Sequence, residues 1–102
     1  MLEITKTIEE GKAVYILAGR LDTITSPQLE EEVCQNVEGL TELVLDIGDV
    51  EYISSAGLRA LLYAQKIMNQ QGTMKIRRVS EKMSEIFHVT GFKRILDIES
   101  YL

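Results

Sequence analysis

The chain has 102 residues, of which 45% are hydrophobic and 26% charged, with a formal net charge of −5. This length corresponds to one domain, and the hydrophobic content is enough for a core that folds without disulfides or metals. The negative charge disfavours general binding to nucleic acid or anionic membranes, because phosphate-rich surfaces repel an acidic protein.

The cellular compartment can be predicted from the cysteine content and from the apolar runs. Cys34 is the single cysteine, so the chain cannot form an internal disulfide, as is typical of a reducing cytosol. No apolar run approaches the roughly 18 residues that a membrane span needs. The residues after Met1 do not resemble a secretion signal. We therefore expect a cytoplasmic protein without direct membrane insertion.

The first elements predicted are the two strands of a β-hairpin. Residues 2–8 alternate between apolar and polar side chains, as in a strand with one solvated face. Residues 13–18 form a short apolar run that is typical of a central strand buried on both faces. Gly11 lies in the turn between them, where a positive φ is often required. The two strands should therefore pair antiparallel.

A helix is predicted after a loop at residues 19–25. Ser26 is expected to cap this helix, and Pro27 fits its first position, where the missing N–H costs nothing. Gly39 is expected to end it. The side chains predicted to face the core, four residues apart, are Leu29, Val33 and Val37.

The second half of the chain alternates between predicted strands and helices. The elements are a buried strand at 43–47, a long helix at 56–71, a strand at 74–77, a helix at 81–89 and a short strand at 95–98. Gly72 is expected to cap the end of the long helix, and Ser80 the start of the next one. The order β-β-α-β-α-β-α-β predicts an α/β domain with a mixed, mostly parallel sheet, an N-terminal hairpin and about three to four packed helices.

The residues most informative about function lie at the start of the long helix. Ser54 and Ser55 place two hydroxyls where the first helical N–H groups lack intrahelical partners and favour an anion. A phosphate on Ser55 would lie over these groups and add a charge of about −1.5 to −2 at neutral pH. A serine here is also a common N-cap, and Gly57 could be small for packing alone. The helix pattern by itself leaves both interpretations open.

Four segments resemble one known family in order and spacing. Residues Tyr52-Ile-Ser-Ser-Ala-Gly-Leu-Arg59 resemble the signature of STAS-domain anti-sigma factor antagonists, in which a serine, a small residue and Gly-Leu begin the second helix. The other similar segments are Gly19-Arg-Leu-Asp22, Leu43-Val-Leu-Asp46 and Val89-Thr-Gly-Phe92 followed by Ile95. The resemblance spans essentially the whole chain, so we predict one STAS domain over residues 1–102.

The resemblance implies a partner-switching protein of bacterial transcription regulation and not an enzyme. In that family, the unphosphorylated domain binds an anti-sigma factor that is also a serine kinase, which releases a sigma factor. Phosphorylation then breaks the complex, and a separate phosphatase restores the antagonist. By position, the implied phosphorylation site is Ser55, with Ser54 as the alternative, and the implied partner-binding residues are Asp22, Ser54, Ser55, Gly57 and Arg59. We expect a monomer or weak dimer.

Ser54 departs from the family pattern, because many phosphorylated members carry aspartate immediately before the acceptor serine. The alternative prediction is therefore a STAS accessory subunit of a membrane transport or other signalling complex that has no phospho-switch. A third possibility, a small hydrolase or nucleotide-binding protein, has no motif to support it, since phosphate-binding glycine loops are absent from the sequence.

No catalytic, cofactor-binding or metal site is predicted elsewhere. Asp22, Asp46 and Asp49 match no calcium-loop spacing, and His88 lacks further ligands nearby in the sequence. Cys34 has no obvious partner for nucleophilic chemistry, and we expect it to be a small packing residue. The basic residues predicted to form a solvated strand end are Lys75, Arg77, Arg78 and Lys82.

Overall fold

The strands and helices follow one another in the predicted order. The computed structural model describes residues 1–100. Its elements are β1 (Leu2–Glu9), β2 (Lys12–Leu21), α1 (Ser26–Asn36), β3 (Glu42–Ile53), α2 (Ser55–Asn69), β4 (Thr73–Val79), α3 (Glu81–Thr90) and β5 (Asp97–Ser100). A short 3-10 helix at Phe92–Arg94 precedes β5. The predicted α/β class is therefore confirmed.

The five strands form one mixed sheet in the order β1-β2-β3-β4-β5. β1 and β2 are antiparallel, as the predicted hairpin requires, whereas β2, β3, β4 and β5 pair in parallel. The β2–β3 register shifts twice: Ile16 pairs with Asp46 but Ala18 with Asp49, and Gly19 pairs with Val50 but Arg20 with Tyr52. Each shift places one extra residue in β3, and such bulges re-aim the side chains that follow them.

The core lies between the helices and one face of the sheet. Alternate residues of the central strands are buried there together with the apolar stripes of the helices. The buried strand residues include Tyr15, Leu17, Leu43, Leu45, Met74 and Ile76, and the buried helix residues include Leu29, Val33, Leu61, Met68 and Phe87. The core face predicted for α1 is therefore confirmed. Ser80 caps α3 as predicted, because its Oγ accepts a hydrogen bond from the N–H of Met83.

The predicted capping of α1 by Ser26 is wrong. Thr25 is the N-cap residue without a side-chain capping bond, and Ser26 is already helical and buried. The helix begins one residue earlier than predicted: the N–H of Ser26 donates to the carbonyl oxygen of Asp22, and the N–H of Gln28 donates to the carbonyl oxygen of Thr25. Pro27 lies in the first turn, as expected.

Several predicted helix and strand ends also differ from the structure, most of all the strand predicted at 43–47, which runs to Ile53. Val37 is the C-cap of α1 and Gln70 that of α2, so Gly39 and Gly72 lie beyond the helix ends. Gly72 is instead needed for a close backbone approach, because a Cβ there would lie 2.0 Å from the carbonyl oxygen of Thr41. The last strand begins at Asp97 and not at residue 95, because the N–H groups of Ile95 and Leu96 donate to the carbonyl oxygen of Phe92 and so belong to the turn that follows the 3-10 helix.

Two predictions about surface and packing are also wrong. Cys34 is exposed and not a packing residue, because it lies one position beyond Val33, off the buried stripe of α1. Arg77 and Arg78 are not simply solvated, because both bind the buried carboxylate of Asp46.

Candidate functional site

Ser54 and Ser55 have different roles at the start of α2. Ser54 is the N-cap, with extended backbone angles, and its Oγ accepts a hydrogen bond from the N–H of Gly57 at 3.2 Å. Its carbonyl oxygen accepts the first helical bond, from the N–H of Leu58 at 2.9 Å. Ser54 is half-buried. Its hydroxyl is already engaged in capping the N-terminus of the helix.

Ser55 is the first helical residue, and its side chain is exposed. Within residues 1–100, its hydroxyl makes no hydrogen bond and the N–H groups of Ser55 and Ala56 have no acceptor. These N–H groups, together with the helix dipole, give the N-terminus of α2 a partial positive charge. The first turn of α2 contains no acidic residue that would neutralise it. An anion attached to the Ser55 hydroxyl would therefore be stabilised.

Gly57 allows α2 to begin directly against the end of β2. The N–H of Ser54 donates to the carbonyl oxygen of Leu21 at 2.9 Å. A Cβ on Gly57 would lie 2.6 Å from the same oxygen and 2.8 Å from Cγ1 of Ile53. Gly57 is buried, so its contribution to the site is this close packing. The absence of a side chain allows the N-terminus of α2 to approach the end of β2 closely.

Asp22 organises the loop that lies next to this helix start. Its Oδ1 accepts hydrogen bonds from the N–H groups of Ile24 and Thr25, both at 3.0 Å, and from Oγ1 of Thr25. The single Thr25 hydroxyl proton is shared with the carbonyl oxygen of Arg20, the nearer acceptor at 2.7 Å, and Thr25 Oγ1 itself accepts from the N–H of Asp22. The hydrogen bond from the Thr25 N–H is the largest of the contributions that lower the pKa of Asp22, so this carboxyl is ionised at neutral pH. Its first role is thus to shape the loop.

Three side chains that the sequence did not single out also belong to this surface. Arg20 lies over the ring of Tyr52, with Cζ 4.3 Å from the ring centroid, and its Nε is 3.5 Å from Oδ2 of Asp22. Ile24, in the loop organised by Asp22, is 86% exposed, and Tyr52 is 41% exposed. The sequence feature that could have indicated an exposed contact residue at Ile24 was an isoleucine within a predicted loop. The Arg20–Tyr52 contact depends on strand register, which the sequence does not specify.

The predicted site residues therefore lie at one end of the sheet, where the end of β2 meets the start of α2. Ser54, Ser55 and Gly57 lie at the helix start, and Asp22 lies in the loop that follows β2. Arg59 is exposed one turn further along α2. We call the surface formed by Arg20, Asp22, Ile24, Tyr52, Ser55 and Arg59 the α2-tip surface.

The remaining polar residues of the sequence analysis lie elsewhere. Asp46 is 2% exposed and is bound by Arg77, Arg78 and the N–H of Gly48. His88 is exposed on α3. Among residues 1–100, no three His, Cys, Asp or Glu side chains are grouped as a metal site would require. None of the helices in the same range is long and apolar enough to cross a membrane.

Comparison with known proteins identifies the family. Residues 3–102 match the family model described as STAS domain. The chain belongs to the STAS domain family. BtrV of Bordetella bronchiseptica, a candidate anti-sigma factor antagonist by its name, is 32% identical over 95% of this chain and 85% of its own length. The anti-sigma-B factor antagonist of Bacillus subtilis is also 32% identical, over 82% of this chain and 78% of its own length.

A solved STAS-like structure has the same fold. The crystal structure of an anti-sigma factor antagonist from Mycobacterium paratuberculosis superimposes with a TM-score of 0.85 over 96% of this chain and 85% of that one. The two sequences are 21% identical, so this likeness concerns the fold alone. The predicted STAS family and STAS-like fold are thus confirmed.

Proposed function

We propose that this protein is an anti-sigma factor antagonist that acts by binding and not by catalysis. In this proposal, the unphosphorylated α2-tip surface binds an anti-sigma factor with serine kinase activity in the bacterial cytoplasm, and a sigma factor is released. The kinase then phosphorylates Ser55, which abolishes binding, and a phosphatase reverses the modification. The names of the relatives support the partner class, and the exposed Ser55 hydroxyl supports the modification site.

The single observation that carries the proposal is the division of roles between the two serines. A kinase needs an accessible hydroxyl, and Ser55 offers one, whereas the hydroxyl of Ser54 is engaged with the N–H of Gly57. Phosphorylation of Ser55 therefore leaves the helix cap intact, whereas phosphorylation of Ser54 would disrupt it. This favours Ser55 over the alternative Ser54.

The same geometry explains how a phosphate would prevent binding without unfolding the domain. The free N–H groups of the first turn can donate to phosphate oxygens, so the modified side chain has a favourable position at the helix end. The phosphate would add about −1.5 to −2 charges to the middle of the α2-tip surface at neutral pH. A partner that is acidic or apolar at this point would then be repelled or would have to desolvate the phosphate.

The test is phosphorylation of the purified protein by the anti-sigma factor kinases encoded in its source genome. We expect one phosphate by intact-mass analysis, mapped to Ser55, and loss of binding by the modified protein. Ser55→Ala should bind the kinase but accept no phosphate, and Ser55→Asp should bind weakly. Equal incorporation into Ser55→Ala, or undiminished binding after modification, would contradict the proposal.

Ser80→Ala is the matched control for Ser54→Ala in this assay. Both serines cap a helix with an Oγ to N distance of 3.2 Å, but Ser80 caps α3. Ser54→Ala and Ser80→Ala should both still accept phosphate at Ser55, after correction for any loss of folded protein.

A second candidate function is that of a STAS accessory subunit in a transport or signalling complex that is not switched. The observation in its favour is Ser54, at the position where many phosphorylated family members carry aspartate. Under this alternative, Ser55→Ala and Ser55→Asp bind the same partner equally well, and the partner purified from cells is a transporter ATPase and not a kinase-type anti-sigma factor.

A further inference from the structure

Arg20 is held in place on the α2-tip surface before any partner binds. Its backbone N–H donates to the carbonyl oxygen of Met1 at 3.2 Å, and its own carbonyl oxygen accepts from Thr25 Oγ1 at 2.7 Å. Its guanidinium stacks on Tyr52 and is 3.5 Å from a carboxylate oxygen of Asp22. Stacking on an aromatic ring orients the flat guanidinium group, so less conformational freedom remains to be lost on binding.

The hydrogen-bonding capacity of this guanidinium is largely unused. Among the residues that the structure describes, the ion-pair partner of the Arg20 side chain is Asp22, through a long contact of 3.5 Å between Nε and Oδ2. The side chain is 51% exposed, so it is accessible to a partner. A planar guanidinium with free N–H groups is suited to a bidentate contact with a carboxylate.

Arg20 and Ile24 are continuous with the start of α2. Leu21, between Arg20 and Asp22 in the chain, accepts the hydrogen bond from Ser54 that joins the two segments. Ile24 is an exposed apolar side chain, and its backbone N–H is held by a hydrogen bond to Asp22. Arginine, tyrosine and large apolar side chains in such an arrangement are typical of the energetically important residues of protein interfaces.

The charges at this end of the molecule indicate the sign of the charge on the partner's contact surface. The chain as a whole is acidic, with a net charge of −5, yet the α2-tip surface combines Arg20, Arg59 and the electropositive start of α2. The Asp22 carboxylate is occupied by its own loop and by Arg20. Introducing a phosphate at Ser55 would interfere most with a partner that presents negative charge here.

We infer that Arg20 is a specificity-determining residue of this surface, which binds a carboxylate on the anti-sigma factor while Ile24 enters an adjacent apolar contact. Tyr52 is a positioning residue, because it acts by orienting Arg20. The inference rests on the proposed function and deepens it, because it assigns to the partner an acidic side chain that contacts Arg20 near the end of β2.

The experiment measures the affinity of the unmodified protein for the purified anti-sigma factor kinase at several salt concentrations. Arg20→Gln should weaken binding about 10-fold or more, which is the range for loss of a charge-assisted contact, and should reduce the salt dependence. Arg20→Lys should restore only part of the affinity, because lysine cannot make the bidentate contact. Lys12→Gln removes the same charge at the far end of β2 and should bind like the wild type.

Tyr52 provides a second measurement that does not change any charge. Tyr52→Phe keeps the ring under Arg20 and should preserve both affinity and salt dependence, whereas Tyr52→Leu removes the ring and should weaken binding. Circular dichroism of each variant checks that the fold is retained.

The outcomes distinguish the inference from the function on which it depends. If Arg20→Gln binds within twofold of the wild type with an unchanged salt dependence, the inference is overturned and the proposed function is unaffected. If the wild-type protein binds none of the anti-sigma factors of its source genome, both are overturned.

Discussion

The carbonyl oxygen of Leu21 accepts a hydrogen bond from the N–H of Ser54 at 2.9 Å, so the end of β2 is bonded directly to the start of α2. The same oxygen lies 2.6 Å from the position that a Cβ on Gly57 would occupy. The two elements therefore meet too closely for any side chain at position 57. This junction determines where Ser55 lies relative to the loop that Asp22 organises.

Replacing Gly57 by alanine is expected to destabilise the protein, although alanine is the better helix former. The gain in helix propensity is about 1 kcal/mol. The added methyl would overlap the Leu21 carbonyl, a backbone atom that cannot move without breaking its bond to Ser54, and such overpacking costs about 1–3 kcal/mol. Urea unfolding should therefore show a net loss of stability. An increase in stability would mean that the junction is looser than the structure indicates.

The serines at the helix starts should differ in their contribution to stability. Ser54→Ala and Ser80→Ala each remove a side-chain cap bond of 3.2 Å, and each should lower the free energy of unfolding by about 1 kcal/mol. Ser55→Ala changes an exposed side chain outside the cap and should stay within about 0.5 kcal/mol of the wild type. Thermal unfolding of the three variants measures this. A loss for Ser55→Ala equal to that for Ser54→Ala would argue against the assigned cap.

The alternation of strands and helices was predictable because it depends on local hydrophobic periodicity. The stripe of Leu29 and Val33 is buried as the pattern predicts. The apolar run at residues 13–18 was predicted to be buried on both faces, but only Ala13, Tyr15 and Leu17, on one face, are fully buried. Helix caps were predicted correctly where the capping serine had no competitor, as at Ser80. At Ser26 the prediction was wrong, because the N–H of Ser26 donates to the carbonyl oxygen of Asp22, four residues earlier, and the helix already includes Ser26.

The features that the sequence did not reveal depend on contacts between distant segments. Arg20 faces Tyr52 only because two bulges shift the β2–β3 register before those residues are reached. Arg77 and Arg78 lie about 30 residues from Asp46 in the chain, and their ion pairs follow from the pairing of β3 with β4. Periodicity identifies strands, but it does not specify which residues become neighbours across them.

Asp46 should make stability depend on pH in the acid range. Burial raises the pKa of this carboxyl, but the hydrogen bonds from Gly48, Arg78 and Arg77 and the charge of Arg78 together outweigh burial, so the pKa is lowered on folding. The stabilisation is therefore complete above the unfolded-state pKa of about 3.9. It is lost as the pH falls towards the lower pKa of the folded state, because the unfolded chain takes up the proton first.

Asp46→Asn tests this dependence. The variant should lose about 1–3 kcal/mol at neutral pH, because two arginines lose their charged partner. Its stability should also fall less steeply than that of the wild type below about pH 4. Asp97→Asn, at an exposed carboxyl of β5, is the control for the removal of one negative charge. Equal slopes for wild type and Asp46→Asn would show that Asp46 does not contribute to the acid sensitivity.

Gly48 and Arg78 should be energetically coupled. A Cβ on Gly48 would lie between 2.5 and 2.8 Å from the guanidinium atoms of Arg78, which bind Asp46 and Asp49 at this point. Arg78 also has a φ of 57°, in the left-handed region, so its backbone has little freedom to adapt. Gly48→Ala must therefore push the guanidinium away from Asp46.

A double-mutant cycle measures this coupling by urea unfolding of the wild type, Gly48→Ala, Arg78→Ala and the double variant. Gly48→Ala should destabilise the wild-type background, because it displaces Arg78 from its carboxylate. In the Arg78→Ala background there is no guanidinium to displace, and alanine loses less backbone freedom on folding than glycine does. There the same substitution should be neutral or slightly stabilising. Strictly additive effects would mean that Arg78 can reach Asp46 equally well past a side chain at position 48, and that glycine is not required there for the ion pair.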